Sequence, residues 1–148
     1  MRIAFGTDED TELTRSVVAR LRSAGHQVTH LAEGEAWPEV GSAVGRAVSA
    51  GEAERGIVCC YTGTGVSIAA NKVPGVRAAL CTDGPTAAGA RRWNDANVLA
   101  FGLRLTSLEV AAEMIDTFLG TAPDDDELAA VARLEGPVVG GPGPRAPR

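Results

Sequence analysis

The chain has 148 residues, a formal net charge of -5, and 45% hydrophobic and 22% charged residues, which suits one globular domain able to bury a real core. The acidic balance argues against nucleic acid as the main partner, because a phosphate backbone needs a basic face, and no apolar run approaches the roughly 20 residues of a bilayer span. Met1-Arg2-Ile3-Ala4-Phe5 runs straight into Gly6 and acidic residues, unlike a signal peptide. Three cysteines, two of them adjacent, make a poor disulfide framework, and the two histidines lie in a different segment without zinc-ligand spacing. Reduced thiols, no metal and a cytoplasmic location are therefore expected.

Taken in order, Arg2 to Asp8 reads as a first strand, and Glu9 to Ala24 as a helix with Leu13, Val17, Val18 and Leu21 at helical spacing, closed by Gly25. His26 to Leu31 alternates as an outer strand. Pro38 suits the first turn of a helix that runs to about Ala50. Ile57-Val58-Cys59-Cys60 is a buried strand, Thr62-Gly63-Thr64-Gly65 a glycine turn, and Ser67 to Lys72 resumes with small residues and helix formers. Val76 to Cys81 is a further strand, and Asp83 could cap a helix over Pro85 to Arg92, with Arg91 and Arg92 as its solvated end. Asn97 to Phe101 is another strand, and Ser107 caps a strongly periodic helix that ends near Leu119.

Apolar strands separated by single helices predict a doubly wound α/β fold, a three-layer α/β/α sandwich around a mostly parallel sheet of about five strands. Its ligand crevice is expected at the carboxyl ends of the strands, where Asp8, Cys60, Asp83 and Gly102-Leu103-Arg104 all fall. Residues 1–120 form this domain, 121–135 a terminal helical segment opened by Pro123-Asp124-Asp125-Asp126-Glu127, and the Gly- and Pro-rich 136–148 a disordered tail.

The turn after Cys60 is the chemical centre. Its glycines let main-chain N–H groups converge on one point, and a helix N-terminus adds positive potential there. Cys60 is then either a small buried hydrophobe or a nucleophile or base beside an anion hole. Cys59 should point to the opposite side of the strand, into the core, as should Cys81. Asp8 reads as a helix cap or a ligand, Thr62 as a turn residue or a helper, and His26 and His30 as surface or strand-edge residues. A dinucleotide fingerprint is incomplete: Gly63-Thr64-Gly65 lacks the third glycine and follows the wrong strand. A Gly-Lys-Ser/Thr phosphate loop is missing too, so a nucleotide cofactor is disfavoured.

Three consecutive blocks carry a resemblance: Cys60-Tyr61-Thr62-Gly63-Thr64-Gly65-Val66-Ser67-Ile68-Ala69-Ala70-Asn71-Lys72, then Gly75-Val76-Arg77-Ala78-Ala79-Leu80-Cys81, then Asn94-Asp95-Ala96-Asn97-Val98-Leu99-Ala100-Phe101-Gly102. Together they resemble the ribose-5-phosphate isomerase B family, which includes the galactose-6-phosphate isomerase subunits, over roughly Arg2 to Leu119. The resemblance implies a Rossmann-like homodimer or dimer of dimers with sites at the subunit interface, and no metal or organic cofactor. It also implies interconversion of an aldose phosphate and a ketose phosphate through an enediolate. By the same resemblance Cys60 moves the proton between C1 and C2, and Thr62 assists. The backbone from Tyr61 through Gly63 and Thr64 to Gly65 holds the charged oxygen, Asp8 and Asn94 contact substrate, and Arg104 reaches its phosphate.

Departures from that family are as informative. Trp93 stands where the family has the histidine that opens the sugar ring, Glu9 where it has the histidine of an Asp-His pair, and Tyr61 where it usually has glycine. The arginine-bearing tail is replaced by Asp124 to Glu127, leaving Arg133 as a stand-in. The expected substrate is therefore another sugar, phosphorylated or not, or a sugar derivative rather than ribose 5-phosphate, with Trp93 or Tyr61 available to cover a stacking group. Alternatives are a family member without turnover that binds a sugar phosphate, and a nucleotide-binding domain.

Overall fold

A computed structural model describes residues 1–135, in which the alternating pattern resolves into five strands and six α-helices. In chain order these are β1 (Arg2–Thr7), α1 (Glu12–Ser23), β2 (Gln27–His30), α2 (Trp37–Ser49), β3 (Arg55–Cys60), α3 (Thr64–Asn71), β4 (Ala78–Leu80), α4 (Gly84–Asn94), β5 (Val98–Gly102) and α5 (Leu108–Gly120). A 3-10 turn (Asp125–Glu127), the short α6 (Leu128–Ala132) and a second 3-10 turn (Arg133–Glu135) follow. The tail expected over 136–148 lies outside the described residues.

The strands form one sheet in the order β2-β1-β3-β5-β4, and every pairing is parallel. The result is the expected three-layer Rossmann-like α/β/α sandwich, wholly rather than mostly parallel. β1 and β3 are buried on both faces, which is why they read as continuous apolar runs. Side chains alternate between the faces. Phe5, Ile57, Cys59, Leu99 and Phe101 meet α1, α4 and α5 through Val17, Leu21, Ala87, Ala90, Met114, Ile115 and Phe118. Ala4, Val58, Cys60 and Ala100 meet α2 and α3 through Val40, Val44, Val66 and Ala70. From β1 the chain moves outward to β2 and then returns to β3 on the other side. The carboxyl ends of β1 and β3 therefore flank the switch point where such sheets bind ligands.

Helix boundaries follow their caps. α1 begins at Glu12 rather than Glu9 because Thr11 is its N-cap, and the Thr11 and Thr14 side chains close a reciprocal capping box. Ser107 and Asp83 cap α5 and α4 as anticipated, each accepting from a main-chain N–H three residues on. One expectation is corrected. Arg91, read as part of a solvated helix end, is only 2% exposed. It donates to Asp95 Oδ1 (2.8 Å), Ala96 O (2.6 Å) and Thr121 O (3.1 Å), and its guanidinium lies 5.7 Å from the Phe118 ring centroid. Such a buried cation persists only because its donors are met by an ionised partner and by carbonyls that local helix geometry leaves free.

Candidate active site

At the end of β3, Cys60 passes directly into a cup of main chain from Tyr61 to Gly65. Gly63 is the N-cap of α3, with φ at +78° and no side-chain acceptor, so the first-turn amides of α3 are not consumed by a capping side chain. No other residue type fits there. A Cβ on Gly63 would lie 2.5 Å from the Phe101 carbonyl carbon and 2.8 Å from the Gly102 nitrogen, while one on Gly102 would lie 2.6 Å from the Thr62 carbonyl oxygen. The β3 and β5 loops thus touch backbone to backbone, and Leu103 N and Arg104 N complete the junction by donating to Cys60 O and Tyr61 O, both at 2.9 Å. That contact explains why the Thr-Gly-Thr-Gly and Phe-Gly motifs occur together. The Thr62 and Thr64 hydroxyls are hydrogen-bonded to each other at 2.7 Å on the lip of the cup.

The two adjacent thiols separate as strand alternation requires. Cys59 is fully buried on the α1/α5 face, where burial pushes its thiol up to about 12. Cys81 is likewise pushed up to about 11 by burial, with Asp83 adding to the effect. Both are inert protonated thiols at neutral pH. Cys60 lies on the α2/α3 face with 5% of its surface accessible, packed with Val58 and Val66 and leading into the cup.

Asp8, at the carboxyl end of β1, is left without a capping task. Thr11, not Asp8, caps α1, and Asp8 Oδ1 is buried without a hydrogen-bond partner among the described residues. The turn that carries Asp8 is fixed from both sides: Glu9 N donates to Thr7 Oγ1 at 3.2 Å, and Thr7 Oγ1 donates to Glu9 O at 2.9 Å, leaving the Glu9 side chain exposed. A groove of about 620 Å³ runs from Asp8 and Glu9 past Arg15 to His30. It follows α1 on the Phe5 face of the sheet, whereas Cys60 points to the other face. The smaller pocket of about 180 Å³ walled by Tyr61, Thr62, Leu80, Gly102, Arg104 and Thr106 is the one that adjoins the cup. Asp83, placed on the same rim by its position in the sequence, is committed to α4. Its carboxyl is held below the usual range by hydrogen bonds from Thr86, one of them the 2.7 Å main-chain N–H.

Other residues of interest lie elsewhere. Asn94 and Trp93 close α4, which runs back from the carboxyl rim, so that Asn94 shares a groove with Arg77 at the start of β4. Trp93 lies exposed across Gly89, where a Cβ would come within 2.5 Å of its Cζ3, on a surface that includes Leu80 and Pro85. Arg133 belongs to the final turn, whose Glu135 pairs with Arg77 at 2.5 Å, again at the far end of the sheet. The acidic segment packs on the same side, with Asp124 3.0 Å from Arg92. One chain therefore gathers Asp8, Cys60, Thr62 and Arg104 at one rim and leaves Asn94, Trp93 and Arg133 apart from them.

Sequence reasoning missed Trp37. Its indole lies on Gly65, so that a Cβ there would sit 2.8 Å from the ring's Cδ2, and 44% of the residue remains exposed over the first turn of α3. The Trp-Pro pair opening α2 was the available signal, but only the docking of α2 on α3 turns it toward the cup.

A parallel α/β sandwich with a main-chain cup at its carboxyl rim and a cysteine leading into it can hold an oxygen that turns anionic beside a base, as a sugar-phosphate isomerase that interconverts aldoses and ketoses requires. The comparisons agree. A sequence profile described as Ribose/Galactose Isomerase matches residues 3–134. Ribose-5-phosphate isomerase B of Escherichia coli is 43% identical over 124 residues, covering 80% of this chain and 83% of that protein. D-erythrulose-4-phosphate isomerase of Pectobacterium atrosepticum is 35% identical over 141 residues, covering 86% and 93%. The solved ribose-5-phosphate isomerase B of Clostridium thermocellum superposes with a TM-score of 0.86 at 38% identity, over 91% of this chain and 95% of that one. The chain belongs to the ribose/galactose isomerase family.

Proposed function

We propose that the protein isomerises a sugar phosphate with Cys60 as the base, and that its substrate is an open-chain, four-carbon one. The Cys60 thiolate takes the C2 proton of the aldose, the C2–H electron pair forms the C1=C2 bond, and the C1=O pair moves onto oxygen, giving an enediolate. The thiol then returns the proton to C1, O1 gains the proton that O2 loses, and C2=O is formed. Thr62 serves the O1–O2 proton exchange. Donors in the Tyr61–Gly65 cup stabilise the developing oxyanion, each worth roughly 3 kcal/mol in a site closed to water. The observation that carries this reading is that Cys60 runs directly into an N-terminus of α3 that no side chain caps.

The substrate class follows from Trp93 and from elementary sugar chemistry. Ribose 5-phosphate has a free O4 that closes on the carbonyl, so its isomerase needs an acid–base group to open the ring. A tetrose 4-phosphate carries phosphate on that oxygen and stays open. With Trp93 where a ring-opening histidine is expected, the chain suits the second kind of substrate, in line with its likeness to an enzyme named for D-erythrulose 4-phosphate. A homodimer completes the site, the partner's α4 end bringing Asn94 and Trp93 to the cup across the exposed apolar surface around Leu80. Three free thiols suit a reducing cytoplasm.

Deuterium uptake at C2 from heavy water, followed by NMR, tests the proposal. D-erythrose 4-phosphate should exchange with a kcat/KM at least tenfold above ribose 5-phosphate. Cys60→Ser should lower exchange by about 10²- to 10⁴-fold, the usual contribution of a positioned base, while sugar-phosphate binding persists. Preference for ribose 5-phosphate would reject the substrate class. Silence with every sugar phosphate, despite binding, would mean a binding protein without turnover, a reading that the near-complete burial of Cys60 favours.

A further inference from the structure

We propose that Tyr61 is the positioning residue for Arg104, and that the phenol and guanidinium together form the arm that takes the substrate's terminal phosphate. The proposal rests on the sugar-phosphate reading above and assigns a side-chain role to Tyr61 that its place in the main-chain cup does not supply.

Tyr61 and Arg104 come from different elements, the loops after β3 and β5, yet they are joined at three points. Arg104 N donates to Tyr61 O at 2.9 Å, Arg104 Nη1 donates to the phenol oxygen at 2.6 Å, and the guanidinium carbon stands 5.7 Å from the ring centroid. A free arginine at an exposed rim loses roughly 2 kcal/mol of rotamer freedom when it is fixed on a ligand. Here most of that cost is met before any ligand arrives.

The nature of the partner matters as much as its geometry. Arg20, Arg77, Arg91 and Arg92 each end on a carboxylate, which cancels their charge. Among the described residues Arg104 forms no ion pair and ends on a neutral phenol. Its positive charge is therefore undiminished at the rim of a chain whose net charge is -5. The phenol accepts one guanidinium N–H and keeps its own O–H to donate, while the remaining N–H groups of the fork stay available. A phosphate can be met by both groups at once. Because Tyr61 directly follows Cys60, anion capture and proton transfer are referenced to the same few main-chain atoms.

Tyr61→Phe removes the hydroxyl and keeps the ring beside the guanidinium, and Tyr61→Leu removes both. Titration of inorganic phosphate by calorimetry should show a Kd about fivefold weaker for Tyr61→Phe and weaker still for Tyr61→Leu. KM for a tetrose 4-phosphate should rise in parallel, with the loss in KM rather than kcat, while the loss of kcat/KM for an unphosphorylated triose, which cannot close a ring, should be much smaller. In an Arg104→Ala background Tyr61→Phe should cost much less, since the residue it positions is gone. An unchanged phosphate Kd in Tyr61→Phe, or equal losses with and without the phosphate, would overturn the proposal. The phosphate titration needs no turnover, so the arm can stand even where isomerase activity fails.

Discussion

On one face of the sheet α1 and α5 press Val17, Leu21, Met114, Ile115 and Phe118 against Phe5, Ile57, Leu99 and Phe101. On the other, α2 and α3 lie over Ala4, Val58 and Ala100 with little more than valines and alanines between. The small-residue face lets backbones meet. A Cβ on Gly41 of α2 would stand 2.6 Å from Val66 O and 2.7 Å from Ala69 Cβ of α3, and one on Gly45 3.2 Å from Ala70 O. Backbone contact fixes α3, and with it the cup, more tightly than interdigitated side chains, which can hop between rotamers. The bulky face supplies apolar burial, and the small-residue face supplies placement.

Truncating the bulky face should therefore cost stability and spare chemistry. Phe118→Ala removes a fully buried ring and the apolar partner of the Arg91 guanidinium, and is expected to cost about 3–5 kcal/mol. That is a large share of the total for a domain of this size. Denaturant midpoints should fall sharply, while kcat measured well below the new unfolding temperature should match the parent. A kcat that fell with the midpoint would mean that the two faces are not separable.

The converse variant is Gly41→Ala. Its methyl must push α2 from α3, an overpacking expected to cost about 1–3 kcal/mol. Because the displaced helix carries the cup and α2 carries Trp37, exchange at C2 should drop more than in Phe118→Ala despite the smaller loss of stability. Equal or better exchange would show that the cup does not depend on α3 being fixed.

This division was half legible in the sequence. The order of elements, the caps at Asp83 and Ser107, the turn at Gly63 and the opposite orientation of Cys59 and Cys60 follow from local chemistry, which a short window contains. What escaped depends on residues far apart in the chain. Arg91 looks like a helix end until Thr121 and Ala96 bring their carbonyls to it. The start of β4 slips to Ala78 because Val76 N turns back to Val73 O, and the Asn71 side chain brackets Ala78 through two 2.8 Å hydrogen bonds. Trp37 faces the cup only because Gly65 has no side chain. Within the site, the Cys60–Gly65 cup was readable as a motif, whereas the Tyr61–Arg104 pair needed the β5 loop to cross over the end of β3.

A change of pH sharpens the comparison at a single residue. Cys59 holds its proton up to about pH 12 in the folded chain because burial on the bulky face disfavours the thiolate. In the unfolded chain it ionises near its ordinary value of about 8.5. A folded pKa raised above the unfolded one means that the stability contribution is complete below about pH 8.5 and is lost as pH rises toward the folded value, since the unfolded state then gains by releasing the proton. Cys59→Ala removes that ionisation at the cost of a small cavity whose penalty does not vary with pH. Urea unfolding between pH 8 and 11 should therefore decline less steeply for Cys59→Ala than for the parent, the two curves converging as pH rises. Parallel curves would show that the Cys59 environment admits solvent, and that the bulky face is not the dry core that its packing implies.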